Sequence, residues 1–373
     1  MAGTRLETWA KMLTQRGVCV PNMNGFRVVA RPVVAGTLLG LIVAAAGVPA
    51  GGAGVVRTPF VIAAGPTGGT YFPVGEAIAS IVTHAPGVYR CEKAGVCGPP
   101  GLIASVRTSP GTVFNVLAVN AHTVDAALAQ SDVVTEAIAG RGPFKGHGAH
   151  SHVRALANLF PEEVHVIAAR SAHIRSVADL RGKRVSIGPT TSGTIVTARA
   201  LFAAYGVPLW RIRANNDDSD VAAEKLAQGK LDAMLFVGGA PVPFVRELLA
   251  DGKIVLVPVD GKGRARLLKQ SRAVQADTIP AGLYSHTAKL ETVGVRAILI
   301  VNDAVSDGTV HDIARALFNP ANRSTLWGSH RSAQAIRIDT AAKDLPAPLH
   351  PGAARFYKEA GKLPKVAAKS GKT

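Results

Sequence analysis

Short apolar runs alternate with amphipathic stretches along most of the chain. In two places, an apolar run is joined to the following amphipathic stretch by a turn rich in glycine and threonine. Residues 59–75 (PFVIAAGPTGGTYFPVG) predict a strand over 60–64, a turn, and a helix over 71–83. Residues 184–206 (RVSIGPTTSGTIVTARALFAAYG) repeat that order much later in the chain. Free backbone N–H groups and the positive end of the helix dipole meet at such a helix start, where they favour anionic groups. The two units predict two lobes, each presenting a polar loop to one cleft.

The rest of the chain continues the alternation of strands and helices. Helical spacing of apolar residues predicts a helix over 111–121, and apolar runs predict strands over 125–129 and 231–236. Strand runs near Val164 and Val295 are both followed by a polar turn and a helix, which indicates a crossover into a second lobe and another one back. This mixture is typical of doubly wound α/β lobes.

The first fifty residues have the pattern of an export signal. Two arginines precede an apolar core over 33–48, and residues 48–50 (VPA) have the small side chains of a cleavage site. We therefore expect 1–50 to be a signal peptide, with Met23 as a more ordinary start than the residues upstream of it. An uncleaved membrane anchor is the alternative, because the apolar core approaches the length that spans a bilayer.

Composition and charge narrow the class of protein. With 47% hydrophobic and 18% charged residues, the chain is neither disordered nor fibrous. The net charge of +17 is spread singly along the chain, apart from the signal region and a basic tail over 361–373, and only 5% of residues are aromatic. Nucleic-acid surfaces concentrate their charge and interleave stacking rings, so we expect no nucleic-acid partner.

Three cysteines are present, and one of them, Cys19, lies upstream of the apolar core of the export signal. Cys91 and Cys97 are six positions apart, with a glycine between them. In an exported protein this arrangement predicts one disulfide that closes a tight loop. Two cysteines alone are an incomplete zinc site, and a redox motif needs closer spacing. The sequence has no nucleophile elbow, no phosphate-binding loop and no metal-ligand cluster, so we expect neither a cofactor nor catalysis.

Several segments together resemble the TAXI-type solute receptors of tripartite ATP-independent periplasmic (TRAP) transporters. The resemblance runs in order from Phe60 to Tyr357 and rests on residues 65–75 (GPTGGTYFPVG), 111–119 (GTVFNVLAV), 129–133 (AQSDV), 156–166 (LANLFPEEVHV), 174–194 (IRSVADLRGKRVSIGPTTSGT) and 350–357 (HPGAARFY). Pro66, Pro189 and Arg107 depart from the family pattern. The resemblance implies the α/β fold of a type II periplasmic binding protein, with crossover strands acting as hinges between its lobes. Lobe I is predicted over 57–163 and 295–360, and lobe II over 164–294.

The resemblance also implies a function. Such a receptor captures a small carboxylate or a glutamate-like amino acid in the cleft and delivers it to TRAP membrane permease subunits. A binding protein for an ATP-driven importer or a sensor is the alternative, and an enzyme on the same fold is a third.

The candidate ligand-binding residues lie in the two turns and at the ends of two strands. They are Gly68, Gly69, Thr70 and Tyr71; Gln130 and Ser131; Thr191, Ser192, Gly193 and Thr194; and Gly238 and Gly239. Each set has a purely structural alternative: the glycines form turns, Ser192 serves only as an N-cap, and Ser131 or Asp132 caps a helix over 133–139.

Overall fold

The computed structural model describes residues 56–146, 148–284 and 287–363. The predicted signal peptide and the predicted basic tail beyond residue 363 lie outside the described residues.

The described strands form one mixed sheet in the order β2-β1-β3-β10-β4-β7-β5-β6, with β8 paired to β4 and β9 paired to β10. Their bounds are β1 Thr58–Ala63, β2 Leu102–Arg107, β3 Ala126–Gln130, β4 Val153–Ala169, β5 Arg184–Ser186, β6 Arg213–Asn215, β7 Ala233–Gly238, β8 Ile254–Val257, β9 Gln275–Ile279 and β10 Leu290–Asn302. Parallel pairs (β1 with β2 and β3, β5 with β6 and β7) lie on either side of the antiparallel pair β4 and β10.

Helices cover both faces of this sheet. Their bounds are α1 Tyr71–Val82, α2 Thr112–Asn120, α3 Ser131–Ile138, α4 Gly193–Ala204, α5 Ser219–Ala227, α6 Pro243–Ala250, α7 Gly261–Gln270, α8 Asp307–Leu317, α9 Arg323–Ser329, α10 Ile338–Ala341 and α11 Pro351–Glu359. No helix within the described ranges has the length and apolar character needed to cross a bilayer.

Two long strands join the lobes. In lobe I, the first part of β4 pairs with the last part of β10, which also pairs with β3. In lobe II, the last part of β4 pairs with β7 and β8, and the first part of β10 pairs with β9. The β10 register shifts between Arg296 and Ile298, opposite Pro161 of β4, which has no N–H to donate. The antiparallel crossover is therefore irregular near the point where the chain passes between lobes.

Each lobe has an apolar core on both faces of its half of the sheet. Along β4, successive side chains point to opposite faces, so Val166 belongs to the cluster that includes α4, and Ile167 to the cluster that includes α5 and α6. In lobe I, Ile62 packs with the α1 side, and Ala63 with the α2 and α3 side. The two-lobed α/β fold class predicted above is confirmed, while the exact lobe boundaries stay a prediction.

The elements predicted above agree with the structure over most of their length. The strand run near Val164 belongs to one long strand, β4. Helix α7 and strand β9 were not predicted, because the sequence GKGRARLLKQ is dominated by charged residues and QADTI lacks a clear alternation. Helix α3 begins at Ser131 with Gln130 as its N-cap, so neither Ser131 nor Asp132 is the cap.

The predicted disulfide between Cys91 and Cys97 is confirmed, with 5.3 Å between the two Cα atoms. The loop that it closes is held against the end of α8 by two asparagines. Asn322 Nδ2 donates to the Val96 carbonyl at 2.7 Å, and Asn319 Nδ2 donates to the Gly95 carbonyl at 3.0 Å. No residue of this loop lines the cavity described next, so the disulfide has a structural place in the fold.

Candidate functional site

The amino-terminal ends of helices from both lobes converge on one cavity of about 70 Å³. Helices α1, α2, α4 and α5 each contribute their first residue or N-cap to its wall, and Gln130 is the N-cap of α3. The first N–H groups of a helix have no partner within the helix, and the dipole places partial positive charge there. The wall therefore offers hydrogen-bond donors from both sides.

We call this space the cleft cavity. Its lining residues are Gly65, Pro66, Gly69, Thr70, Tyr71, Pro110, Gly111, Thr112, Gln130, Glu162, Ser186, Gly188, Pro189, Ser192, Gly193, Thr194, Asp217, Asp218, Ser219, Met234, Leu235, Phe236, Val237 and Gly238.

Most of the residues predicted from the sequence are brought together here. Those that line the cleft cavity are Gly69, Thr70, Tyr71, Gln130, Ser192, Gly193, Thr194 and Gly238. Their role in binding stays a prediction.

The other four predicted residues do not line the cleft cavity but lie next to residues that do. The Ser131 hydroxyl accepts from Arg296 N at 3.0 Å, and the Thr191 carbonyl accepts from Phe114 N at 3.2 Å. The Gly239 carbonyl accepts from the Thr70 hydroxyl at 3.0 Å. A Cβ on Gly68 would lie 3.3 Å from Asp220 Oδ1, so this glycine faces the acidic start of α5.

Two glycines allow the walls of the cavity to approach each other closely. A Cβ on Gly193 would lie 1.5 Å from Gln130 Oε1, and a Cβ on Gly111 would lie 3.0 Å from Ser192 Cα. Gly111 also has a φ of 122°, which L side chains rarely adopt. Helix starts from opposite lobes are thus in contact. A Cβ at Gly193 would displace the Gln130 side chain, and one at Gly111 would press against the backbone of Ser192.

Hydrogen bonds across the lobes hold this closed arrangement. The Thr70 hydroxyl reaches Gly239 of lobe II, and the Thr197 hydroxyl of α4 donates to Asp132 Oδ2 of α3 at 2.6 Å. Burial raises the pKa of Asp132 to about 6. The closed lobes therefore surround a buried carboxyl group whose pKa lies above its ordinary value.

Gln130 is the one cavity residue with a clearly unmet hydrogen-bonding demand among those described. It is only 3% exposed, its backbone N–H donates to the Thr112 hydroxyl at 3.3 Å, and its side-chain Oε1 has no partner. Leaving a buried amide oxygen unpaired is unfavourable. This oxygen is enclosed where the α3 cap meets Gly193 of α4.

Glu162, which the sequence analysis missed, lies in the wall of the cleft cavity near the middle of β4. It is 2% exposed, and the Tyr71 hydroxyl donates to its Oε2 at 2.7 Å. Burial raises the pKa of Glu162 well above its usual range and does the same for Tyr71. The available signal was the pair Glu162-Glu163 inside a long apolar strand, since buried carboxyls are rare without a role.

The charge of the cleft cavity is unusual for so basic a chain. No lysine, arginine or histidine is among the described residues that line it, whereas Glu162, Asp217 and Asp218 are. Asp217 forms an ion pair with Lys225 at 2.5 Å, outside the lining. Asp217 and Asp218 immediately precede α5, and Asp218 is its N-cap. Among the described lining residues, the partial positive charges therefore come from backbone N–H groups at the helix starts.

Other candidates from the sequence do not join the cleft cavity. Arg107 is exposed at the end of β2 and is not part of the lining. Ser192 does cap α4, accepting from Ile195 N at 3.4 Å, so its structural role is present alongside its place in the cavity wall. Within the described part of the chain, no group of three or more histidines, cysteines or carboxylates is arranged to hold a metal ion.

Solved structures of binding proteins resemble this chain over most of its length. One is the alkanesulfonate-binding protein SsuA from Xanthomonas axonopodis pv. citri bound to MOPS, with 16% identity, coverage of 83% of this chain and 96% of that one, and a TM-score of 0.45. A binding protein component of an ABC phosphonate transporter from Pseudomonas aeruginosa has 10% identity, coverage of 75% and 80%, and a TM-score of 0.49. MatC from Rhodopseudomonas palustris with bound malate has 13% identity, coverage of 82% and 97%, and a TM-score of 0.48. These values carry no information about what this chain binds.

A family model gives the assignment. Residues 62–361 match the NMT1-like family, and this range contains every residue of the cleft cavity. The chain therefore belongs to the NMT1-like family, a family of solute-binding proteins in the superfamily of type II periplasmic binding proteins.

Proposed function

We propose that this protein is a periplasmic receptor that captures a small carboxylate or amino acid in the cleft cavity and delivers it to a membrane permease. One observation carries the proposal: helix starts from both lobes meet at a cavity whose wall also holds the unpaired amide oxygen of Gln130. Free N–H groups at helix starts suit a carboxylate. Lobes joined by two long strands can open and close around such a solute.

The permease that we propose is of the TRAP type, because six segments of the sequence resemble TAXI receptors. An ATP-driven importer is the alternative partner. Reconstitution with each permease class distinguishes them: a TRAP partner requires uptake that depends on an ion gradient and persists without ATP hydrolysis. Uptake that stops when ATP hydrolysis is blocked would assign the receptor to the importer.

Two threonines test the site. Thr70 and Thr194 lie at the starts of α1 and α4, on opposite sides of the cleft cavity, and their hydroxyls bond to the Gly239 carbonyl and to Val237 N. We expect Thr70→Ala and Thr194→Ala each to weaken solute binding by about tenfold, the value of one or two lost hydrogen bonds. Calorimetry with glutamate, glutamine and glutarate gives the affinities, and circular dichroism checks the fold.

Thr340→Ala is the matched control, because Thr340 is exposed on α10 and does not line the cleft cavity. Unchanged affinity in both site variants would place the solute elsewhere. A receptor gains stability from its ligand without consuming it. If a solute raises the melting temperature and is also converted to a product, the protein is an enzyme and not a receptor.

A further inference from the structure

The loop between β7 and α6 connects the wall of the cleft cavity to the opposite lobe. It consists of residues 239–241, which we call the β7–α6 loop, and it follows Gly238, the last residue of β7 and part of the cavity wall. Val242 on its other side belongs to the apolar core of lobe II. The Gly239 carbonyl accepts from the Thr70 hydroxyl of lobe I at 3.0 Å.

The other two carbonyls of this loop accept from a second segment of lobe I, residues 330–332. This segment lies between α9 and α10, and both of these helices pack in the lobe I core. The Ser332 hydroxyl donates to the Ala240 carbonyl at 3.0 Å, and His330 Nε2 lies 3.3 Å from the Pro241 carbonyl. Three consecutive carbonyls of lobe II therefore face donors of lobe I.

His330 is held in the orientation and tautomer of a donor. Its Nδ1 accepts from Ser332 N at 3.1 Å, so in the neutral ring the single N–H is on Nε2 and faces the Pro241 carbonyl. Burial lowers the pKa of His330, which favours this neutral ring. One side chain therefore caps its own segment and also donates across the lobes.

The N–H groups of the β7–α6 loop and of the residue after it face away from lobe I. Ala240 N donates to Glu163 Oε2 of β4 at 2.8 Å, and Val242 N donates to the Tyr284 hydroxyl of lobe II at 2.8 Å. Pro241 has no N–H to place. The loop is thus fixed by its donors to the crossover strand and to its own lobe, and its acceptors are directed to the other lobe.

Gly239 allows direct contact between the β7–α6 loop and Ser332. A Cβ on Gly239 would lie 2.4 Å from Ser332 Oγ and 2.8 Å from Ser332 Cβ. The two lobes therefore pack here without room for one methyl group.

We infer that the β7–α6 loop, His330 and Ser332 form an interlobe latch beside the cleft cavity, whose hydrogen bonds form when the lobes close and slow the release of the solute. This inference rests on the proposed function, because it requires lobes that open and close around a solute. His330 and Ser332 do not line the cleft cavity, so they are positioning residues that act on the solute through closure.

The experiment measures the balance of open and closed lobes without added solute. Spin labels at Asp251→Cys in lobe II and Thr340→Cys in lobe I, two exposed positions, report the distance between the lobes by double electron–electron resonance. A Cys19→Ser background directs the labels to the introduced pair, since Cys91 and Cys97 form a disulfide.

Two variants remove bonds of the latch and keep the local fold. Ser332→Ala removes the donor to the Ala240 carbonyl. His330→Asn keeps an acceptor for Ser332 N, since asparagine is a good N-cap, but its side chain is too short to reach the Pro241 carbonyl. Water satisfies these carbonyls in the open form, so each variant loses the net value of one hydrogen bond. We expect the ratio of closed to open protein to fall about fivefold in each variant and about 20-fold in both together.

Ser329→Ala is the matched control for the loss of a serine hydroxyl. The Ser329 hydroxyl donates to the Leu326 carbonyl at 2.7 Å, within lobe I. We expect this variant to keep the closed-to-open ratio of the parent, and circular dichroism checks the fold of every variant.

Gly239→Ala tests the latch without removing a hydrogen bond donor. Its methyl group meets Ser332, and overpacking of this kind should lower the closed-to-open ratio about tenfold or more. Gly328→Ala in α9 is the control, because no atom lies within 4 Å of a Cβ added there, and it should behave as the parent.

Release of the solute gives a second readout. Stopped-flow experiments measure association and dissociation of glutamate, glutamine and glutarate. For a solute that binds, we expect Ser332→Ala to raise the dissociation rate about fivefold and to leave the association rate within about twofold, because the latch forms after the solute has entered.

The outcomes separate the latch from the function on which it rests. Distance distributions in Ser332→Ala and His330→Asn that match the parent overturn the inference and leave the proposed function standing. A bound solute whose dissociation rate is the same in the parent and in these variants also overturns it. If none of the three solutes binds, and the variants still lose the closed form, the latch is supported and the proposed solute class is contradicted.

Discussion

Two cavities lie beside the contact between α3 and α4, and they differ in whether cationic side chains line them. The cleft cavity lies at the starts of these helices and has no cationic side chain among its described lining residues. A larger groove of about 1060 Å³ runs along their sides and is lined by Arg141, Arg199, Arg272 and Arg296; we call it the arginine groove. Among the described residues, the arginines beside α3 and α4 therefore line the groove and not the cavity where a solute is proposed to bind.

This difference shows how the protein can attract a carboxylate without a cationic side chain. Helix dipoles provide partial positive charge from backbone groups that are already fixed by the helix, so no long side chain must be ordered on binding. The acids in the same wall then limit how much negative charge the cavity accepts. An arginine in this wall would remove that limit, because it would pair with Glu162 or with a second carboxylate.

The largest effect is expected at Gly193, where the two lobes touch. In Gly193→Val the new side chain occupies the position of the Gln130 amide, whose Oε1 lies 1.5 Å from an added Cβ. Overpacking of this kind costs about 1–3 kcal/mol, and the displaced Gln130 also leaves the binding wall, so we expect solute affinity to fall by about 100-fold. Calorimetry measures the solute affinity.

Gly308→Val in α8 is the control, since no atom lies within 4 Å of a Cβ added at that position. Equal solute affinities in the two variants would contradict lobe closure at Gly193.

The next effect, on stability rather than on binding, is expected at Asp132, which lines the arginine groove and bonds to Thr197. Burial raises its pKa from an ordinary 3.8 to about 6, so the folded state binds this proton more tightly than the unfolded state. Its contribution to stability is fully present below about pH 4 and is lost as the pH rises to about 6. Asp132→Asn should therefore raise the free energy of unfolding at pH 7.5 by up to about 3 kcal/mol, the equivalent of two pKa units.

Urea unfolding between pH 4 and pH 8 measures this difference. The variant should show a flatter dependence on pH than the parent between pH 4 and 6, and Asp251→Asn, at an exposed site, should follow the parent. Parallel curves for the parent and Asp132→Asn would mean that Asp132 ionises normally in the folded protein.

The smallest effect is expected in the arginine groove. Arg199 and Arg272 are exposed and lie outside the cleft cavity. Replacing both with alanine should leave the solute affinity within about twofold, because exposed charges at a distance are screened by salt. Calorimetry at low and physiological salt checks this. A loss of tenfold or more would show that these arginines take part in binding and would remove the contrast between the two cavities.

The sequence predicted the parts of this molecule that depend on local signals. The Gly/Thr turns before Tyr71 and Gly193 predicted helix starts, and the structure brings both to one cavity. Cys91 and Cys97 are close in the chain, so their pairing followed from spacing and context. Glu162 was missed because its surroundings depend on the path of β4 between the lobes. Its partner Tyr71 is also far from it in sequence. Likewise, the approach of Gln130 to Gly193 is a property of lobe closure that no local pattern contains.

The central claim is that the solute binds where the helix starts of both lobes meet. A crystal structure of the protein with its bound solute tests it most directly. We predict a ligand whose carboxylate is within hydrogen-bonding distance of the first N–H groups of α1 or α4. A ligand seated in the arginine groove, with the cleft cavity empty, would contradict the account.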